Sequence, residues 1–163
     1  MTNGAADYQG ASAARSVLVV GLVLLAHFVF RPWLESTPLA PDLLVGGLLL
    51  AALRIRAGPA AALGFTLGVL EAAMALDNPG TYAVVLTVLG YAAARSRDLL
   101  FADARFYVVV YLFALTWLAR TALLVVGGMV PGVGAAIAWS VVTAAVTSVV
   151  CTVADAAASP VMR

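Results

Sequence analysis

Long apolar runs alternate with short polar connectors along most of the chain. The runs are rich in Leu, Val and Ala, and they do not alternate between apolar and polar residues, which favours helices over barrel strands. The connectors carry Pro, Gly, Asn and Arg, residue types that are typical of turns. The pattern predicts six helical segments, at residues 16–31, 39–53, 58–76, 80–94, 106–128 and 134–157.

Segment length divides the six into two groups. A helix needs about 17–25 apolar residues to cross a bilayer, and the segments at 16–31, 39–53 and 80–94 are shorter than that. These three suit either a span or an interfacial or re-entrant position, although six spans is the preferred count. Residues 1–14 are small and polar, so we expect a disordered N-terminal tail before a single transmembrane domain of residues 15–163.

Composition supports a membrane protein. The chain of 163 residues is 64% hydrophobic and 10% charged, whereas soluble domains are nearer half apolar and a quarter charged. We therefore expect an all-α polytopic membrane protein built as a bundle of six transmembrane helices. A net charge of +1 leaves no basic face for nucleic acid. A single cysteine, Cys151, excludes a disulfide framework within one chain, and we expect neither a metal nor a cofactor.

The arginines indicate the topology. Arg31 falls in the first connector and Arg120 lies inside the fifth segment. The other seven all fall on one side of a six-span arrangement: Arg15, Arg54, Arg56, Arg95, Arg97, Arg105 and Arg163. Because cytoplasmic loops collect Lys and Arg, this distribution predicts that both termini are cytoplasmic.

Two charged residues fall well inside apolar segments, Glu71 in the third and Arg120 in the fifth. An arginine at mid-bilayer costs roughly 3 kcal/mol on insertion scales, so such a residue is expected to be paired or functional. At 1.5 Å per residue both lie about 20 Å from the predicted cytoplasmic face, and we expect them to pair. Asp42 lies at a similar depth and is the alternative partner. Such a pair would either bind a ligand or serve only to fix the register of the two helices. Alternatively, Arg120 would not pair and its side chain would extend to the outer membrane interface.

Small residues recur at four-residue spacing in the third segment, at Ala60, Gly64, Gly68 and Ala72. Such a stripe lets two helix backbones approach closely. The neighbour would be another helix of this chain, a partner protein or a second copy, and we expect the Gly64/Gly68 face to dock a partner. The sixth segment carries a comparable stripe at Ser140, Ala144, Thr147, Cys151 and Asp155.

Catalytic motifs are missing from the sequence, and we expect a protein that is not an enzyme. His27 is the only histidine, and no zinc-protease, nucleophile-elbow or phosphate-loop motif occurs. We expect His27 to hydrogen-bond a neighbouring helix. An intramembrane enzyme would require His27 as its base.

Residues 38–100 carry a series of short motifs in a fixed order. The positions are Pro41, Asp42, Gly64, Phe65, Gly68, Gly80, Gly90 and Tyr91. In order and spacing this stretch resembles the rod shape-determining protein MreD family. One position departs from the family, which usually has Asp at the position of Ala72. Here the acid is Glu71, one residue earlier and about 100° away around the helix.

The resemblance implies a component of the bacterial cell-elongation machinery in the inner membrane. MreD-like proteins associate with MreC, and through it with the MreB filament and the enzymes of lateral-wall peptidoglycan synthesis. They are also similar to the substrate-binding subunits of vitamin transporters. The alternative is therefore a solute-binding subunit with a pocket around Glu71 and Arg120.

Overall fold

The computed structural model describes residues 3–36, 40–75, 79–97, 105–126 and 133–158. Six helices follow one another in this part of the chain, so the all-helical prediction and the number of helices are confirmed. They are α1 (Asn3–Ser36), α2 (Leu43–Ala52), α3 (Ala57–Ala75), α4 (Pro79–Ser96), α5 (Arg105–Val126) and α6 (Val133–Ala158). Arg163, one of the arginines that indicate the topology, lies outside the described residues.

Four of the described helices are long and apolar enough to cross a membrane. Their spanning stretches are Ala14–Trp33, Ala57–Met74, Val108–Val126 and Gly134–Ala157. The 18-residue α4 is not among them. The 10-residue α2 is about 15 Å long, which is half of a hydrocarbon core of about 30 Å. The second segment is therefore short, as predicted, whereas the first belongs to a helix of 34 residues.

Helix α1 begins at Asn3, where the sequence predicts a disordered tail. The stretch 3–14 contains several alanines, the residue with the highest helix propensity. Once the apolar part of a helix has formed, each further residue adds a hydrogen bond without a new nucleation cost. A tail of this composition therefore extends α1.

The short helix α2 is the centre of the fold. Its residues 44–52 are all buried, and it contacts each of the other five helices. Two adjacent glycines allow close packing on two sides. Gly46 faces Cys151 and Thr147 of α6, and a Cβ built at Gly47 would lie 2.7 Å from Leu24 Cδ2 of α1. The stripe on α6 is thereby confirmed as a helix-contact face.

Helices α3 and α4 pack backbone to backbone along the stripe of small residues. A Cβ at Gly68 would lie 2.6 Å from the Ala83 Cα, and one at Gly64 would meet the Leu86 carbonyl. Ala60 and Ala72 of the same stripe are buried. The prediction of a close helix contact is confirmed. The prediction that the Gly64/Gly68 face docks a partner is wrong, because α4 already covers this face.

Five helices surround α2 in the order α1, α6, α5, α4, α3, and each neighbouring pair in this order is in contact. The series does not close. Among the described residues, the backbones of α1 and α3 do not approach each other closely. The line along which these two helices face one another is called the α1–α3 seam below.

Candidate functional site

Asp42 joins three helices at the start of α2. It is the N-cap of α2, and its Oδ1 accepts a hydrogen bond of 3.1 Å from the Val45 N–H. Its own N–H donates to Thr147 Oγ1 of α6 over 2.8 Å. The first amides of a helix lack partners within it, and a carboxylate also complements the positive end of the helix dipole. Asp42 therefore stabilises a helix end that has little access to water.

Arg120 pairs with Asp42, with Nη1 lying 3.1 Å from Oδ2. The predicted Glu71–Arg120 pair is therefore wrong, and the alternative partner is the one observed. The two residues lie at similar predicted depths, but among the described residues the backbones of α3 and α5 do not approach each other closely, whereas α2 contacts both helices. The Arg120 side chain is 40% exposed and that of Asp42 is 11% exposed, so the pair lies at the edge of the protein.

Glu71 contacts two residues of α1. Its Oε2 lies 3.1 Å from His27 Nε2, and its Oε1 lies 3.3 Å from Arg31 Nη2. All three side chains are about nine-tenths buried. The sequence places Arg31 in a connector, but α1 continues to Ser36 and keeps Arg31 within the helix. The expected hydrogen bond from His27 to a neighbouring helix is confirmed.

The two ring nitrogens of His27 have different surroundings. The ring has a carboxylate at Nε2, while Nδ1 is buried and has no hydrogen-bond partner among the described residues. Neutral imidazole has one donor and one acceptor nitrogen. In the neutral ring, the tautomer with its proton on Nε2 donates to the Glu71 carboxylate and has the buried Nδ1 as its acceptor nitrogen. Arg31 then balances the charge of Glu71.

The other end of α2 is also stabilised by charge. Arg97 Nη1 donates to the carbonyl of Leu53, the C-cap of α2, over 3.0 Å, and contacts the Ile55 carbonyl at 3.4 Å. Arg54 donates to Ser16 of α1 and to Asp155 of α6. Cations near the carboxyl end of a helix complement its dipole and its unpaired carbonyls. The buried α2 is thus complemented by a carboxylate at its start and by guanidinium groups at its end.

The positions that carry the family resemblance divide into two groups. Most of them shape the fold: Pro41 and Asp42 lead into α2, Gly64, Gly68 and Gly90 lie against backbone of the facing helix, and Gly80 is the second residue of α4. Phe65 and Tyr91 are different, because each is 53% exposed. The described helices leave about half of each aromatic side chain uncovered.

The structure brings together polar residues from different helices. His27 and Arg31 are four residues apart on α1, a spacing that places them on one helix face. This spacing is the signal that could have identified them as a joint partner for Glu71. No comparable signal links Arg54 to Asp155, which are 101 residues apart. Among the described residues, no group of three or more His, Cys, Asp or Glu is placed to hold a metal ion.

Comparison of the chain with protein-family models, with curated proteins and with solved structures finds no match. Two features of the structure bear on function. They are the charged residues near α2 and the exposed aromatic side chains of α3 and α4.

Proposed function

We propose that the protein is a non-enzymatic, MreD-like component of the bacterial cell-elongation machinery. It would lie in the inner membrane with both termini cytoplasmic and bind an MreC-like protein, and through it act on lateral peptidoglycan synthesis. The observation that carries the proposal is the exposure of Phe65 and Tyr91, two positions of the family resemblance whose side chains are each 53% exposed.

Both aromatics belong to one outward face of the α3–α4 hairpin. Phe65 follows Gly64 and Tyr91 follows Gly90, and each glycine lies against the opposite helix. One residue is about 100° of helix rotation, so each aromatic flanks the glycine contact. On each helix the opposite flank carries buried residues, Leu67 on α3 and Leu89 on α4. Phe65 and Tyr91 therefore face away from α2, toward lipid or a partner helix.

The arginines support the proposed orientation. Arg15 near the start of the spanning part of α1, Arg56 before α3 and Arg95 near the end of α4 are all exposed. In an up-and-down arrangement these positions share one end of the bundle, opposite the end at which α2 begins. The positive-inside rule assigns that end to the cytoplasm.

The test is co-purification of the partner. The Phe65→Ala/Tyr91→Ala variant and the wild type are each expressed with the MreC-like protein of the same organism, and the partner recovered per amount of tagged protein is measured. We expect the double variant to lose most of the bound partner, because aromatic anchors dominate the binding energy of interfaces. Trp139→Ala is the matched control, since Trp139 is 54% exposed but lies on α6. Retention of the partner at wild-type yield by the double variant would contradict the proposal.

A second function, a solute-binding subunit of a vitamin-type transporter, is favoured by a different observation. Helix α2 is half the length of a span, Asp42 at its amino end pairs with Arg120, and Glu71, His27 and Arg31 form a second polar cluster between α1 and α3. Transporters bind solutes at the ends of such discontinuous helices, where irregular backbone lines a cavity.

Native mass spectrometry distinguishes the two functions. A solute-binding subunit purified without added ligand should retain a small molecule that is lost in Arg120→Gln. Arg56→Gln, which changes an exposed arginine before α3, should retain it. A wild-type spectrum that shows only protein and lipid would remove the support for this second function.

A further inference from the structure

The α1–α3 seam differs from every other boundary around α2. Each other pair of neighbouring helices in the series α1, α6, α5, α4, α3 packs through close backbone approach, and α1 and α3 do not. Among the described helices, the backbone of α3 closely approaches only those of α4 and α2, and the backbone of α1 only those of α2 and α6. Apart from the shared contact with α2, the two helices therefore pack against different neighbours.

The residues of α2 beneath the α1–α3 seam can be identified from helix geometry. Gly47 points at α1, and Leu48 lies beside Gly90 of α4. At 100° per residue, Leu44 and Ala51 fall between these two directions, on the side of α2 that faces α3 and the seam. They are also the most exposed of the buried apolar side chains of α2, Leu44 at 3% and Ala51 at 7%. This side of α2 is covered slightly less completely than its other sides.

Glu71 bridges the α1–α3 seam with one carboxylate. It reaches His27 and Arg31, one turn apart on α1, with both oxygens. In a bilayer there is little hydrophobic driving force between helices, so packing and hydrogen bonds hold them together. Where backbone packing is lacking, the polar bridge supplies that contact.

A proline lies next to the bridge residues of α1. Pro32 follows Arg31 directly and lies inside α1. Proline has no N–H to donate to the carbonyl one turn earlier, so a helix bends readily at such a position.

We infer that Glu71 is the latch of a lateral opening between α1 and α3, and that its release from His27 and Arg31 lets the two helices separate and exposes the Leu44/Ala51 face of α2 to the bilayer. The inference rests on contacts that the proposed partner surface at Phe65 and Tyr91 does not use.

The test measures the distance between α1 and α3 in lipid nanodiscs. Cys151 is the single cysteine, so a Cys151→Ala background accepts spin labels at Leu25→Cys on α1 and Leu70→Cys on α3, both exposed positions. In the otherwise native protein we expect a narrow distance distribution from pulsed electron paramagnetic resonance. In Glu71→Ala we expect a second, longer population that lies several ångströms beyond the first. A Glu71→Ala distribution that superimposes on that of the native sequence would overturn the inference.

Two controls separate opening from general loosening. A label pair at Leu118 on α5 and Val149 on α6 should keep its distance in Glu71→Ala, because these helices pack directly. Arg120→Gln breaks a different ion pair, the one with Asp42, and should leave the α1–α3 distance unchanged. Lengthening of both label pairs, or lengthening in Arg120→Gln, would count against a latch at Glu71.

A third variant tests the same contact in case Glu71→Ala inserts poorly into the membrane. Arg31→Gln/Glu71→Gln removes both charges of this ion pair and should show the longer population as well. The exchanged pair Arg31→Glu/Glu71→Arg should restore the narrow distribution if attraction across the seam closes it. A narrow distribution in the doubly neutral variant would overturn the inference.

Discussion

Helix α3 has two kinds of boundary. Toward α4 it presents glycines that leave room for the backbone of its neighbour, so carbonyl oxygens and Cα atoms lie where side chains would otherwise be. Toward α1 it presents Glu71, a long side chain that reaches His27 and Arg31 across a separation too wide for close backbone contact. One helix thus makes a tight contact and a bridged contact on different faces.

The difference shows how a membrane bundle sets the strength of each boundary. Small residues maximise van der Waals contact, which does not depend on any single side chain being present. A polar bridge depends on a few groups and fails when one of them changes. The α3–α4 hairpin is therefore expected to behave as a rigid unit, and the α1–α3 seam as the boundary that can open.

The largest effect is expected from filling the tight contact. Gly68→Ala adds a Cβ that would lie 2.6 Å from the Ala83 Cα and the Tyr82 carbonyl oxygen, and backbone cannot easily move away. We expect a loss of about 3 kcal/mol in the free energy of unfolding, at the upper end for overpacking. Unfolding in mixed detergent micelles measures it. Gly21→Ala is the matched control, because nothing lies within 4 Å of its added Cβ. Equal stability of the two variants would contradict the tight contact.

A smaller effect is expected at the start of α2, where Asp42 combines a helix cap with an ion pair. Asp42→Ala should lower the free energy of unfolding by about 1–2 kcal/mol, because the cap alone is worth about 1 kcal/mol. Asp42→Asn keeps a capping oxygen and loses only the charge, so we expect it to retain most of the stability. The same unfolding assay compares the two. If Asn destabilises as much as Ala, the ion pair with Arg120 contributes more than the cap.

The smallest effect is expected from one polar contact between helices. Thr147→Val keeps the side-chain shape and removes the oxygen that accepts the Asp42 N–H at 2.8 Å. Interhelical hydrogen bonds in membrane proteins average about 0.6 kcal/mol, and we expect a loss of that size. Thr66→Val is a suitable control, since the Thr66 hydroxyl bonds only within α3, to the Leu63 carbonyl, and is exposed. A Thr147→Val loss as large as that of Gly68→Ala would remove the distinction between the two kinds of contact.

Much of the fold is predictable from sequence because it follows from spacing along one helix. The number of helices, the short second segment and the contact stripe from Ala60 to Ala72 all come from residue order. The predicted depths of Glu71 and Arg120 also come from residue order. The preference for a Glu71–Arg120 pair fails because depth does not specify direction around the bundle. Six membrane spans and cytoplasmic termini remain predictions, because only four of the described helices are long and apolar enough to cross a bilayer.

The sequence by itself determined which residues are costly to bury alone and which faces of each helix accept a close neighbour. These properties are local, because a charge needs a partner and a glycine leaves space whatever surrounds it. Only the tertiary structure decided which neighbour satisfies each need: α4 covers Gly64 and Gly68, Asp42 takes Arg120, and His27 and Arg31 take Glu71. The physical reason is that the order of helices around α2 is set by all contacts at once, and no single segment encodes it.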